Sequence, residues 1–132
     1  MSGSAALFTI VSNNSGVTAF FGTNPCRFFP AGYIPQDQPM PAASFQTIGG
    51  APANTLDAAA PADNDRIQVD CWSDDYDEAI DVAEAIRTAI ESASAQTALA
   101  VGMQIVSFNG HDYDSETKRF RVSFDVSIWS SR

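Results

Sequence analysis

His111 is the only histidine of the chain, and it sits in the polar run Asn109-Gly110-His111-Asp112-Tyr113-Asp114-Ser115-Glu116-Thr117. One imidazole cannot build a multi-histidine metal centre, and any Ser-His-Asp or Cys-His arrangement would have to be assembled on this residue. The His111-Asp112 pair would serve a metal phosphohydrolase site only with further histidines, which the chain lacks, so a solvated hairpin residue accounts for it. Asp112, Asp114 and Glu116 alternate as oxygen ligands for calcium or magnesium could, but the glycine and distal glutamate of a calcium loop are missing. An acidic turn is the expectation. A second carboxylate group, Asp74, Asp75, Asp77 and Glu78, reads differently. Asp75 and Glu78 have the spacing of a capping box, and acids at a helix start face the positive end of its dipole. No glycine-rich phosphate loop is present. The sequence therefore predicts no catalytic, cofactor-binding or metal-binding residues and no enzyme activity.

Cys26 and Cys71 lie in segments that read as strands. Two thiols in a chain of this kind are expected to be small hydrophobes, and a disulfide cannot be argued from their spacing. Trp72 and Trp129 fall on the outward phase of strands whose inward residues are already assigned. Tryptophans in that position either mark contact surfaces or lie beneath another element of the same chain.

The 132 residues, 45% of them hydrophobic and 17% charged, suit one globular domain over 1–132 with a single core. Sixteen acidic residues against seven basic ones give a formal net charge of −9. That balance repels phosphate and anionic lipid, which need clustered cations. Neither a nucleic-acid grip nor a membrane partner is expected, although DNA could slide past such a surface without sticking. Apolar stretches such as 98–101 are too short for a bilayer, and the first residues lack the pattern of a secretory signal, so a cytosolic site of synthesis is expected.

The elements that must position these groups follow from periodicity. Leu7, Phe8, Ile10, Val11, Val17, Phe20 and Phe21 flank the turn signal Asn13-Asn14-Ser15-Gly16, which predicts an N-terminal helix broken in two. Cys26-Arg27-Phe28-Phe29 predicts a short strand between prolines. Residues 30–42 form a proline-rich connection, since proline supplies no N–H to a sheet, and alternation resumes over 43–48.

Residues 49–65 are small, breaking and acidic, with one large apolar side chain, Leu56. At this length the segment is expected to be a long flexible loop, either a hairpin tip or an arm that orders against a neighbouring subunit. Residues 66–72 alternate strictly, with Ile67, Val69 and Cys71 inward and Gln68, Asp70 and Trp72 outward. Tyr76, Ile80, Ala83, Ile86 or Arg87, and Ile90 form the apolar stripe of a helix over 75–93. Strands follow over 103–108 and 120–128, the latter with five inward apolar residues at period two. Asn109-Gly110 is expected to open the polar connection between them. The predicted fold is α+β: a mixed, mainly antiparallel sheet packed by one long helix and a broken N-terminal helix.

The string Arg66-Ile67-Gln68-Val69-Asp70-Cys71-Trp72, the acidic helix start around Tyr76, the stretch 79–90, the Asp112-Tyr113-Asp114 turn and the final strand ending in Ile128-Trp129 resemble the tail terminator (tail completion) proteins of long-tailed bacteriophages. The likeness extends to 7–22, to Arg27-Phe28-Phe29-Pro30 with Ile34-Pro35-Gln36, and to Asn54-Thr55-Leu56-Asp57. Pro41-Ala42-Ala43-Ser44-Phe45 departs from the more aromatic segment expected there, and 49–65 is richer in alanine.

The resemblance implies a structural virion protein whose hexameric ring caps the completed tail tube, stops its polymerisation and joins it to the head connector. Its partners would be copies of itself, the tail tube protein and the head–tail connector protein, with DNA passing through the ring without specific binding. The expected location is the head-proximal end of the tail, after assembly in the host cytoplasm. Leu56, Asp57, Asp63, Asp65, Trp72 and Trp129 are the candidate subunit or partner contacts. Two alternatives stand beside this reading: a neck or head-completion component of the same virion, and a small α+β ligand-binding domain.

Overall fold

The computed structural model describes residues 3–22, 26–32, 34–35, 39–54, 59–93, 102–116 and 118–131. Helix α1 (Gly3–Ser12) and helix α2 (Ser15–Phe21) are separated at the expected turn. Asn14 makes the break. Its backbone is extended, and its side-chain Oδ1 accepts the N–H groups of Gly16 and Val17 at 2.9 and 3.2 Å, meeting donors that a helix start would otherwise leave unpaired. Gly22 ends α2 at φ 76°, a backbone conformation open to glycine at little cost, with its N–H on the Thr18 carbonyl at 2.8 Å. The inward faces of the two helices carry Leu7 and Val11, then Val17 and Phe21, all buried.

Strand β1 (Phe28–Pro30) pairs in parallel with β2 (Ala42–Asn54), placing Phe28 opposite Ala43. The proline-rich connection makes this return. Arg27 anchors it by donating from Nε to the Pro41 carbonyl at 2.9 Å and from its guanidinium to the Phe20 carbonyl at 2.6 Å. Strands β3 (Ala59–Ser73), β4 (Gly102–Asp114) and β5 (Arg119–Ser131) complete a five-stranded sheet in the order β1-β2-β3-β5-β4, antiparallel except at β1. Helix α3 (Tyr76–Ala93) crosses from β3 to β4. The mixed, mainly antiparallel α+β architecture is the expected one.

One face of the sheet packs against the helices. Ile67, Val69, Cys71, Val122, Phe124, Val126 and Ile128 alternate into a core shared with Leu7, Phe21, Val82, Ile86 and Ile90. The period-two assignments of β3 and β5 therefore hold residue for residue on the inward side.

Four local expectations need correction. The described parts of 49–65 are strand and not loop: Gly49, Gly50, Ala51 and Pro52 pair with Arg66, Asp65, Asn64 and Asp63, and Asn54 pairs with Ala59, while 55–58 lie outside the described residues. Backbone pairing needs no alternation of side chains, and β3 has a second partner here, with Asp63 and Asp65 opposite Ser130 and Ile128 of β5. Asn109-Gly110 does not open the turn either. The register shifts between Phe108 and Gly110, and Gly110 has φ 103°, so this glycine serves a bulge inside β4. The turn comes after Asp114, closed by the Lys118 N–H on the Asp114 carbonyl at 2.7 Å.

The buried stripe of α3 is rotated from the expected one: Ala79, Val82, Ala83, Ile86, Ala89 and Ile90 face the core, while Tyr76 is exposed and Ile80 half-buried. Small alanines let the helix lie close to the sheet, and the bulkier Tyr76 is displaced to the end of the molecule. Finally, the partner of Glu78 at the helix start is Ser73. The buried Ser73 hydroxyl donates to Glu78 Oε1 at 2.7 Å and accepts the Asp75 N–H at 3.1 Å. Residues 94–101, between α3 and β4, lie outside the described residues.

Candidate assembly surfaces

The reverse face of the sheet, away from the helices, is polar yet partly closed. Cross-strand register lines up Ser44, Asp70 and Ser123 in one row and Gln46, Gln68 and Asp125 in the next. Ser44, Asp70, Ser123 and Asp125 are all buried. A carboxylate out of water needs donors around it. Asp125 receives the Arg66 guanidinium at 2.9 and 3.0 Å, and Asp70 receives the Gln68 amide at 3.1 and 3.3 Å. The alternation of β3 puts Gln68 and Asp70 on this outward phase but carries no sign that Asp70 and Asp125 are buried there.

Trp72 continues that face. It is half-buried, opposite Ala42 and Arg121, and the Arg121 guanidinium lies over its ring at 5.6 Å while also pairing with Asp112. Its outward phase is the expected one. The stacked arginine, which gains from the negative ring face, depends on the β3–β5 register and is not legible in either strand alone.

At the same end of the sheet, on the helix side, Tyr113 of β4 sits opposite Phe120 of β5, their rings 4.9 Å apart. Tyr76 at the start of α3 meets Phe120 edge-on at 5.5 Å. The two tyrosines are 54% and 42% exposed, so they lead from the core to the surface. Arg119 reaches Asp74 at 3.5 Å, and its buried Nε has no hydrogen-bond partner among the described residues. Sequence patterns assign these three aromatics to a turn, a strand and a helix stripe separately. Only their shared end of the fold makes them a cluster.

A second aromatic set lies at the β1–β2 edge, where Phe28 stacks on Phe45 at 4.5 Å and on Phe21 at 6.3 Å, and Phe8 covers Phe28 and Phe45. Phe8 and Ile48 are 38% and 46% exposed. Because β1 pairs only with 43–45, β2 from Gln46 onward has no strand on that side among the described residues, and β4 forms the opposite edge.

Among the other candidate contact residues, Asp65 is half-buried opposite Gly50 and Ile128. Asp63 and Trp129 are placed by backbone register alone, opposite Pro52 and Ser130, and opposite Asn64 and Gly102. Leu56 and Asp57 lie outside the described residues. The structure thus joins Trp72 to the Arg121–Asp112 pair and sets Asp63, Asp65 and Trp129 at the far end of the same three strands.

Both cysteines are free thiols. Burial raises the pKa of each, most for the fully buried Cys71, whose neighbour Asp70 adds to the shift, so both thiols are held neutral. Among the described residues no three His, Cys, Asp or Glu side chains converge as metal ligands, and no helix is long and apolar enough to cross a membrane.

A two-layer α+β sandwich whose sheet, among the described residues, has one face away from the helices and an edge strand on either side is a form suited to packing against other protein chains. The family described as "Tail completion protein gp17" matches residues 5–131, and the chain belongs to that family. It is accordingly a structural component of a bacteriophage virion tail and not an enzyme. A chain in a solved structure described as "Virion of native gene transfer agent (GTA) particle" superimposes with a TM-score of 0.73, covering 97% of this chain and 93% of that one at 15% identity, a likeness of fold. No curated protein sequence matches.

Proposed function

We propose that the chain forms a hexameric ring that caps the finished tail tube, stops its polymerisation and joins it to the head connector at the head-proximal end of the tail. The observation that carries this reading is the family match across 5–131, which spans every element of the fold. Two features support it. The sheet ends in two unlike edges, β4 on one side and β1 with the open part of β2 on the other. Unlike surfaces favour a head-to-tail contact repeated around a rotation axis, which closes into a ring, over a two-fold dimer. The net charge of −9 also suits a channel that DNA traverses without binding.

In this reading the segment 49–65, with Leu56, Asp57, Asp63 and Asp65, contacts the neighbouring subunit, as does Trp129 of β5. Trp72 faces a partner from the opposite end of β3. Partners are further copies, the tube protein and the connector protein, brought together in the host cytoplasm. Mass photometry with and without purified tail tubes tests the ring, expected at six times the subunit mass. Electron microscopy of a phage lacking the chain is expected to show tails of uncontrolled length. Normal tail lengths would instead assign it to the neck, and a chain that stays monomeric and ignores tube ends would overturn the proposal.

A further inference from the structure

We infer that the exposed aromatic cluster Tyr76–Phe120–Tyr113 is the docking site for a different, basic protein of the particle and not for a second copy of this chain. The inference rests on the assembly role proposed above and specifies which surface meets which kind of partner. The cluster has the form of an interface centre. Phe120 is half-buried and fixed, and Tyr113 and Tyr76 extend it to the surface with their rings held at 4.9 and 5.5 Å from it. Tyrosines so held add contact area with little further ordering.

Charge decides the occupant. The two chain segments that carry the tyrosines, 74–78 and 112–116, contain seven carboxylates, and Asp74, Asp75, Asp77, Asp112 and Glu116 are exposed. Two nearby arginines offset part of this, Arg119 beside Asp74 and Arg121 beside Asp112. The surface therefore favours a cationic partner.

A second copy has little to offer it. Of the seven cations in the chain, Arg27 is held by two backbone carbonyls, Arg66 by Asp125, and Arg87 by Glu84 and Glu91. Arg119 and Arg121 belong to the acidic end itself. Lys118 lies on the turn beside the cluster, at the same acidic end, and Arg132 lies outside the described residues. Bringing two such ends together would oppose like charges, and nucleic acid is repelled for the same reason. A separate protein with basic residues around an apolar centre fits.

The test uses the full-length chain with purified tail tubes and purified heads of the phage as probes, in co-sedimentation at low and high salt. Tyr113→Ala removes an exposed ring, and Asp77→Lys with Glu116→Lys reverses the rim; thermal melts confirm that each variant is folded. Both variants are expected to bind one of the two probes about tenfold more weakly while keeping the wild-type mass by mass photometry. Salt should weaken the wild type more than the charge-reversed variant. Unchanged binding by both folded variants, or loss of self-association with binding to the probes retained, would overturn the inference and leave the ring proposal standing. Failure of the wild type to bind either probe would overturn both.

Discussion

On the helix side of the central strands, Val69, Cys71, Phe124 and Val126 are wholly buried among apolar neighbours. On the reverse side of the same strands, Asp70 and Asp125 are also buried, 8% and 5% exposed, but each is held by a polar side chain. The inner face is stabilised by area and fit, which are non-directional. The outer face depends on particular donors meeting particular acceptors, and a lost donor leaves a costly unpaired group. Inner and outer residues alternate along each strand, so neighbouring positions should respond to substitution in different ways.

Phe124→Ala should have the largest effect, about 3–5 kcal/mol by denaturant unfolding, because it opens a cavity in a packed core. A loss below about 1 kcal/mol would mean that the inner face is loosely filled. Asp125→Ala should cost about 1–3 kcal/mol, toward the lower figure because the Arg66 it abandons is 48% exposed and can turn to water. Asp125→Asn should recover part of that loss, since an amide still accepts from Arg66; if it recovers none, charge and not hydrogen bonding closes the outer face.

Ser73→Ala should cost about 1 kcal/mol by removing the hydroxyl that links the Asp75 N–H to Glu78 at the start of α3. No loss there would mean that the acids facing the helix dipole, and not this hydroxyl, hold the helix start. The smallest effect near neutral pH is that of the Cys71 thiol. Its folded pKa is raised above an ordinary value of 9.0 by burial, so folding favours the protonated form. The associated stability is present below about pH 9 and is lost as pH rises from there toward the folded value. A pH series of melts should therefore fall more steeply above about pH 9 for the wild type than for Cys71→Val, and native Cys71 should resist alkylation at about pH 8.

The outer face also shows where sequence reading stops. The phase of Trp72 is legible because Ile67, Val69 and Cys71 set the inward side of β3. That Arg121 covers Trp72, and that Arg66 reaches Asp125, depends on which residues of β5 lie opposite those of β3, and composition does not specify that register. The aromatic cluster is hidden for a related reason. Tyr113 belongs to a segment whose residues read as a turn, and Tyr76 to the apolar stripe of a helix whose orientation is set by packing.

By itself, the sequence determined the elements and the inner face: helices around Asn14, a strand over 66–72, a long final strand with five inward apolar residues, and an acidic helix start. Those signals are local, written in spacings of two, three and four residues that one segment carries alone. Only the tertiary structure decided that 49–54 and 59–65 pair as strands, that Gly110 serves a bulge and not a turn, which stripe of α3 is buried, and which polar groups meet on the outer face. Each of these depends on strand pairing or on close packing between distant segments, where the free energy belongs to the partnership and neither partner carries it in its own residues.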